Sequence, residues 1–374
     1  MIRPIVLCFA LSALAVPSAF ASWLDTADVR IWNEGTKLGG PKIVIEYTLN
    51  DESITAKTPA YVFVRYRTAN DQLWQLLDLD GLGGNGAGIV DSPGAKKIIW
   101  WGGDQAVAGV VDSIECRVRA LAMAHIPAGS FNRRSLPGDG RDESGRHTAT
   151  NTLQTFYLAR YETTTAMYAD YLNERGTGVG YHEKMVNPTR CGITRDEDGV
   201  YRVAEGNEKL PITYVSWYDA AGFLHWCGLR LPTEAEWEKA STGGAFLDGD
   251  DAKAEANPKP DRTFPWGNEL PNADGVFRCN FDGEDDGFPD LAPVGSFPDF
   301  NSPYGVADLA GNVNEWTQDW YTTAHHAGLD GYRVVRGGSW LDMPEGCDGV
   351  SGATILPLKE SSIMGFRGAR SAEE

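Results

Sequence analysis

Beyond Gly243 the sequence carries few helix signals and is dense in Gly, Pro, Asn, Asp and Trp. Such a segment cannot build a helical bundle, whose elements need apolar residues at helical spacing. It has to be a loop-rich body in which turns and large aromatics do the packing. The whole chain leans the same way, with 43 glycines and 12 tryptophans in 374 residues. Helix signals are confined to three stretches upstream. Thr163 to Asn173 places Met167 and Tyr171 four apart on one helical face. Ser216 caps a run with Asp219 at the third helical position, and Thr233 with Glu236 forms a capping box in TEAEWEKA.

Before about Ala122 the pattern is different. Ile43, Ile45 and Tyr47 interleave with Val44, Glu46 and Thr48, and Tyr61 to Arg67, Lys97 to Trp101 and Ile114 to Leu121 are similar short runs. Gly and Asp turns such as DLDGLGGNGAG separate them, and no helix caps occur. Short β-rich runs at this spacing predict a β-sandwich over 22–122. Its expected role is structural or positioning and not catalytic.

Composition excludes some function classes. The net charge of −19 repels the phosphate backbone, so nucleic acid is not an expected partner. At 42% hydrophobic and 11% aromatic the chain has enough apolar surface for real cores, which excludes global disorder. Arg3, the apolar run Ile5 to Val16 and the small-x-small triplet Ala19-Phe20-Ala21 read as an export signal over 1–21, cleaved after Ala21. The run is shorter than the roughly 20 residues a membrane span needs. The expected location is therefore secreted or periplasmic, with no membrane span.

Past the signal, Cys116, Cys191, Cys227, Cys279 and Cys347 remain. An odd number leaves at least one thiol unpaired, and the pairing is open at this level. There is no CxxC, no Cys/His zinc spacing, no HxxxH pair and no GxSxG elbow. His325-His326 reads as a solvated loop pair.

The motifs of the second part point to a family. IPAGSF (126–131), FYLARYETTTAMYADYLN, PITYVSWYDAAGFLHWCGLRLPTEAEWEKA, FPWGN (264–268), APVGSFPDFNSPYGVADLAGNVNEWTQDWY (292–321), RVVRGGSW (333–340) and GFRGAR (365–370) occur in this order. Over about 123–372 the chain resembles the sulfatase-modifying-factor family, whose prototype is formylglycine-generating enzyme. The resemblance implies a variant C-type-lectin fold for 123–374, often stabilised by calcium. The expected class is α+β, a β-sandwich followed by that domain. The first part is similar to the immunoglobulin- or fibronectin-like modules that precede certain lectin-like enzyme domains.

NFDGEDDGFPD (Asn280 to Asp290) is dense in oxygen donors, with glycines for tight turns. Ca²⁺ takes six to eight such oxygens, whereas Mg²⁺ demands octahedral geometry and keeps its waters. No Glu stands twelfth from Asp282, so this is not an EF-hand. The resemblance implies one calcium site at the Asn280 and Asp286 side chains with the Phe281 and Phe288 carbonyls. It implies a second at the Asp308 and Glu315 side chains with the Gly311 and Val313 carbonyls, Asp308 standing where the prototype has Asn.

The resemblance also implies where catalysis would sit. The family's copper is held by two thiolates, one three residues after the Ser of GGS and the other five later. Here Ser339 is followed at those positions by Asp342 and Cys347. A carboxylate is a poor ligand for Cu(I), which prefers soft thiolates, so copper is not an expected cofactor. Asn314 also replaces the Trp of the family's NVWEW. Ser339 and Cys347 remain the catalytic candidates. An ergothioneine-type sulfoxide synthase is disfavoured, since no histidine precedes His125.

Two readings stay open. One is a diverged oxidoreductase or protein-modifying enzyme of the family. The other is a non-catalytic, calcium-stabilised binding protein for a protein, peptide or glycan in the lectin-like groove. Trp266, Trp316, Trp320 and Trp340 are the aromatics available to line it, although most of them are expected in the core of a loop-rich fold.

Overall fold

The computed structural model describes residues 23–37, 40–68, 71, 73–101, 114–134, 148–176, 178–321, 331–349 and 352–372. The expected export signal and His325-His326 lie outside these residues. The chain divides into two compact units, Met1–Ala122 and Met123–Glu374.

Among the described residues the regular elements of the first unit are all strands: β1 (Thr26–Lys37), β2 (Gly40–Leu49), β3 (Ala60–Arg67), the short β4 (Gln75–Leu76), β5 (Gly83–Gly84) and β6 (Gly88–Val90), β7 (Gly94–Trp101), and most of β8 (Glu115–Ile126). One antiparallel sheet runs β1-β2-β7-β5. In the other, β3 pairs antiparallel with β4, β6 and β8. The alternation in β2 buries Ile43, Ile45, Tyr47 and Leu49 against Val62 and Val64 of β3, Ile98 of β7 and Ala120 of β8. Each such side chain contributes about 1.5–3 kcal/mol on leaving water. β3 is apolar on both faces because Tyr61 and Phe63, 6.0 Å apart, point away from that core, with Trp23 edge-on to Phe63 at 5.6 Å. In β1, Val29 and Ile31 alternate with Asp28 and Arg30 and pack against this core. The strand is held by pairing to β2, with register slips after Ala27 and Asn33 and with Asp28 at φ 54°.

In the second unit the last residues of β8 pair with β11 (Phe156–Ala159), which carries β18 (Ala369–Ser371) on its other edge. Between them in sequence lie β9 (Gly129–Arg134) paired with β10 (Thr148–Leu153), β12 (Ile193–Arg195) paired with β13 (Tyr201–Val203), and the sheet β16-β15-β14-β17. Its strands are β14 (Asn314–Trp320), β15 (Arg333–Arg336), β16 (Gly352–Ile355) and β17 (Met364–Gly365), with β17 parallel to β14.

The three helices are α1 (Thr165–Arg175), α2 (Trp217–Cys227) and α3 (Glu234–Thr242). Ser216 and Thr233 close capping boxes with Asp219 and Glu236. α1 starts after Thr164, whose hydroxyl accepts from the Met167 amide, so Thr163 stays outside the helix; Met167 and Tyr171 are both buried. From Gly243 to Val313 the described residues contain only single-turn 3₁₀ segments and isolated bridges. That span is organised by polar contacts and by large rings such as Trp237 and Trp316, both fully buried.

Candidate functional site

Three loops of the second unit converge: the Asn280–Asp290 loop, the Asp308–Glu315 loop and the loop after Ser339. Asn312 joins them. At φ 62° its backbone turns so that its amide donates to the Asn280 carbonyl (2.9 Å) while its own carbonyl accepts from the Trp340 amide (2.9 Å). Its side-chain oxygen accepts from Asn280 Nδ2 and the Ala292 amide, and its Nδ2 donates to Glu162 Oε2 at 2.7 Å. Gly311 lets the first two loops touch. A Cβ there would lie 2.0 Å from the Asn280 carbonyl oxygen and 3.3 Å from Cys279 Sγ.

The loop after Ser339 is closed on itself. Ser339 is fully buried and its hydroxyl donates to Asp342 Oδ2 at 2.6 Å, with Asn314 Nδ2 at 3.5 Å from the same oxygen. The Asp342 carbonyl accepts from the Asp282 amide, tying this loop to the first. Cys347 is fully buried, its thiol pointing to the Ser339 and Met343 carbonyls, both at 3.7 Å. Cys279 lies beside it in one apolar cluster with Phe281 and Ala310. The Cys279 thiol is held well above its ordinary range by burial, and its hydrogen bond to Cys347 raises it further. Cys279 also lines a small cavity of about 10 Å³ with Trp266, Phe300 and Asp308, room for about one water.

Below the loops sits a buried charge cluster. Arg367 donates to Glu315 Oε2 (2.7 Å) and Oε1 (2.6 Å), and also to the carbonyls of Ala159, Arg160, Ala307 and Asp308. Trp237 Nε1 takes Glu315 Oε2 at 2.9 Å, so both Glu315 oxygens are engaged. Asp308 accepts from the Gly295 amide at 2.6 Å, and burial pushes its carboxyl up to about 6. Burial, then the charges of Asp308 and Glu315, push Glu162 well above the carboxylate range. One guanidinium thus faces three carboxylates.

The two sets of expected calcium ligands differ in fit. Asn280 Oδ1 is buried with no hydrogen-bond partner among the described residues. Its Nδ2 donates to Asp290 O and Asn312 Oδ1, which fixes the amide's orientation. Asp286 accepts from the Phe281 and Phe288 amides (2.9 Å each) and so fixes the loop that contains both residues. An orphaned amide oxygen, a carboxylate and two carbonyls fit a hard cation. In the second set burial already disfavours the charged form of Asp308, and Glu315 is compensated by Arg367. Among the described residues no three His, Cys, Asp or Glu side chains group as a metal site. Any cation there depends on amide and carbonyl oxygens.

Of the four expected groove aromatics, Trp316 and Trp340 are core, Trp266 is partly buried and Trp320 is 47% exposed. Arg333 is stacked between Trp217 and Trp320 at 3.7 and 3.4 Å from the ring centroids. Sequence reasoning missed Cys279, Asn312, Glu162 and Arg367. Arg367 lies inside GFRGAR, and Asn312 follows a glycine in a turn-rich segment, the kind of residue that tolerates a left-handed backbone. Nothing local marks Cys279 or Glu162. No described helix is long and apolar enough to cross a membrane.

The Sulfatase-modifying factor enzyme 1-like domain matches residues 111–372. The chain is similar to the mouse protein named inactive C-alpha-formylglycine-generating enzyme 2, with 32% identity over 285 residues, 67% of this chain and 86% of that one. It is 29% identical to the formylglycine-generating enzyme of Streptomyces coelicolor, over 66% of this chain and 88% of that one. Among solved structures, PvdO from Pseudomonas aeruginosa aligns with 67% of this chain and 94% of its own, at 23% identity and TM-score 0.47. With its motifs in family order and the family domain covering residues 111–372, the chain belongs to the sulfatase-modifying-factor family.

Proposed function

We propose that this protein is a non-catalytic member of its family, a calcium-stabilised binding domain for a peptide segment of another protein. The observation that carries the reading is the 2.6 Å Ser339–Asp342 hydrogen bond at the position of the family's first thiolate. The carboxylate there is hard, and it is already committed to a turn. Cys347, at the second position, is fully buried and faces carbonyls, so it presents no thiol to a substrate. The relative at 32% identity is itself named as inactive. What the same loop does expose is apolar: Leu341 at 50% and Met343 at 64%. Unpartnered apolar side chains beside a rigid, hydrogen-bonded turn suit docking of an extended peptide through its own apolar residues.

The reading carries four attached proposals. Calcium binds the Asn280, Phe281, Asp286 and Phe288 set. The first unit is an immunoglobulin-like β-sandwich that positions the second. The domain has the C-type-lectin-like topology. The protein is exported and cleaved after Ala21, so the intact mass of exported material begins at Ser22.

The test is a sulfatase-type cysteine peptide incubated with the protein and copper, and the same peptide fluorescently labelled for titration. No aldehyde above a copper-only control is expected. Replacing Leu341 and Met343 by Ser should weaken peptide binding about tenfold, since a lost apolar contact of about 1.4 kcal/mol is a decade in affinity. Aldehyde production above the control, or binding of glycans but not the peptide, overturns the reading.

A further inference from the structure

Cys279 and Cys347 come from distant parts of the sequence, yet fold into one buried apolar cluster. They share the cluster with Phe281 and Ala310, against which Trp266 and Phe277 also pack. Cys279 is 3% exposed, Cys347 is fully buried, and both carry free thiols. Cys347 points its thiol at the Ser339 and Met343 carbonyls.

Two glycines hold the backbones at this distance. A Cβ on Gly311 would meet Cys279 Sγ at 3.3 Å, and one on Gly338 would lie 2.9 Å from Cys347 Cα. Neither strand of chain can be displaced outward without losing the Asn312–Asn280 and Asp282–Asp342 backbone bonds.

We propose that Cys279 and Cys347 are a disulfide site, oxidised when the protein meets a disulfide oxidant. The balance is simple. The two thiols give two protons and two electrons to one disulfide of the oxidant, for example oxidised glutathione. A thiolate of one cysteine attacks that disulfide and releases one glutathione; the second cysteine attacks the mixed disulfide and releases the other. The product is neutral and apolar, which suits its surroundings better than a thiolate. Burial disfavours that thiolate in the folded state. Exchange therefore proceeds while the loops are open, during folding or after local unfolding.

The bond would staple the Asn280–Asp290 loop to the loop after Ser339. The inference does not depend on whether the site binds a peptide or catalyses a reaction. A dithiol that oxidises without any loss of peptide binding leaves the proposed function intact.

The test uses the full chain refolded from urea with reduced and oxidised glutathione, in the presence of a copper chelator. Thiols are then alkylated under denaturing conditions without reduction, and the protein is digested and mapped by mass. The expected result is a linked pair of peptides containing Cys279 and Cys347, two mass units below the sum of their reduced forms. Cys116, Cys191 and Cys227 should be alkylated. Cys279→Ser and Cys347→Ser should each leave the surviving partner of the pair alkylated. Quantitative alkylation of Cys279 and Cys347 in the unsubstituted protein, or a link joining either of them to another cysteine, overturns the proposal. Should a variant fail to refold, the peptide map of the unsubstituted protein decides alone.

Discussion

Glu315 and Arg367 show how much a single side chain carries in this domain. Both are fully buried, joined by two short hydrogen bonds, and Trp237 completes the carboxylate. A buried charge without its partner is costly, whereas the intact pair adds little net stability. Glu315→Gln keeps the shape but removes the one carboxylate that is hydrogen-bonded to the guanidinium. We expect it to cost about 3–5 kcal/mol in urea unfolding, against about 1 kcal/mol or less for removing the exposed Arg67–Glu115 pair. Equal losses in the two variants would refute the account. Such residues are hard to see in a sequence. GFRGAR can be recognised as a string, but that its arginine neutralises a glutamate in NVNEW and satisfies four carbonyls is a fact of tertiary contact.

At the scale of elements, the start of α2 is pinned by a histidine. His182 Nε2 meets Asp219 of the capping box at 2.9 Å, and Nδ1 meets Glu360 at 2.9 Å. The hydrogen bond to Asp219 raises the histidine's affinity for its proton, as do the charges of Asp219 and Glu360; burial and Lys184 oppose it. Because the folded state holds the proton more tightly, this stabilisation is complete below the ordinary histidine value of about 6.5 and fades as pH rises through the higher folded value. The stability lead of the unsubstituted protein over His182→Gln should therefore shrink as pH rises above about 6.5 in parallel denaturation curves. A constant lead would show that the contact is only steric. Asp219 works at the acid end. Although burial raises it, hydrogen bonds from His182 and Ser216 hold it below its ordinary value, so its share is lost as pH falls.

The Asn280–Asp290 loop makes a separate prediction. A ligand that binds only the folded state stabilises it by about 2.7 kcal/mol at a hundredfold excess over Kd. Millimolar calcium should raise the melting temperature above that in chelator, and Asp286→Ala should abolish most of the difference. Superimposable melting curves in calcium and chelator would remove calcium from the description. Glu315 is a poor choice for this test, since its loss also strands Arg367.

Across the whole molecule, legibility followed how local the signal was. The three helices were readable because caps and apolar spacing lie within a few residues of one another. β2 was readable because its alternation is local too, and β3, β7 and β8 because short β-rich apolar runs are. β1 was not, since its apolar alternation is limited to Val29 and Ile31 and the rest of it is held by pairing to β2. In the candidate site, the loop carrying Asn280 and Asp286 and the Asp342 substitution could be found from strings alone. The meeting of Cys279 with Cys347, and the reach of Asn312, could not, because nothing in the neighbouring residues encodes them.

That long reach also sets a clock. Asn312 bonds Glu162 across 150 positions of chain, and Arg367 bonds the Ala159 carbonyl across 208. Contacts so remote close only after most of the polypeptide is in place, and chains rich in them fold slowly. The loops that define the candidate site are consequently among the last parts to order after synthesis. Until then their thiols and carboxylates stand open to whatever the compartment contains.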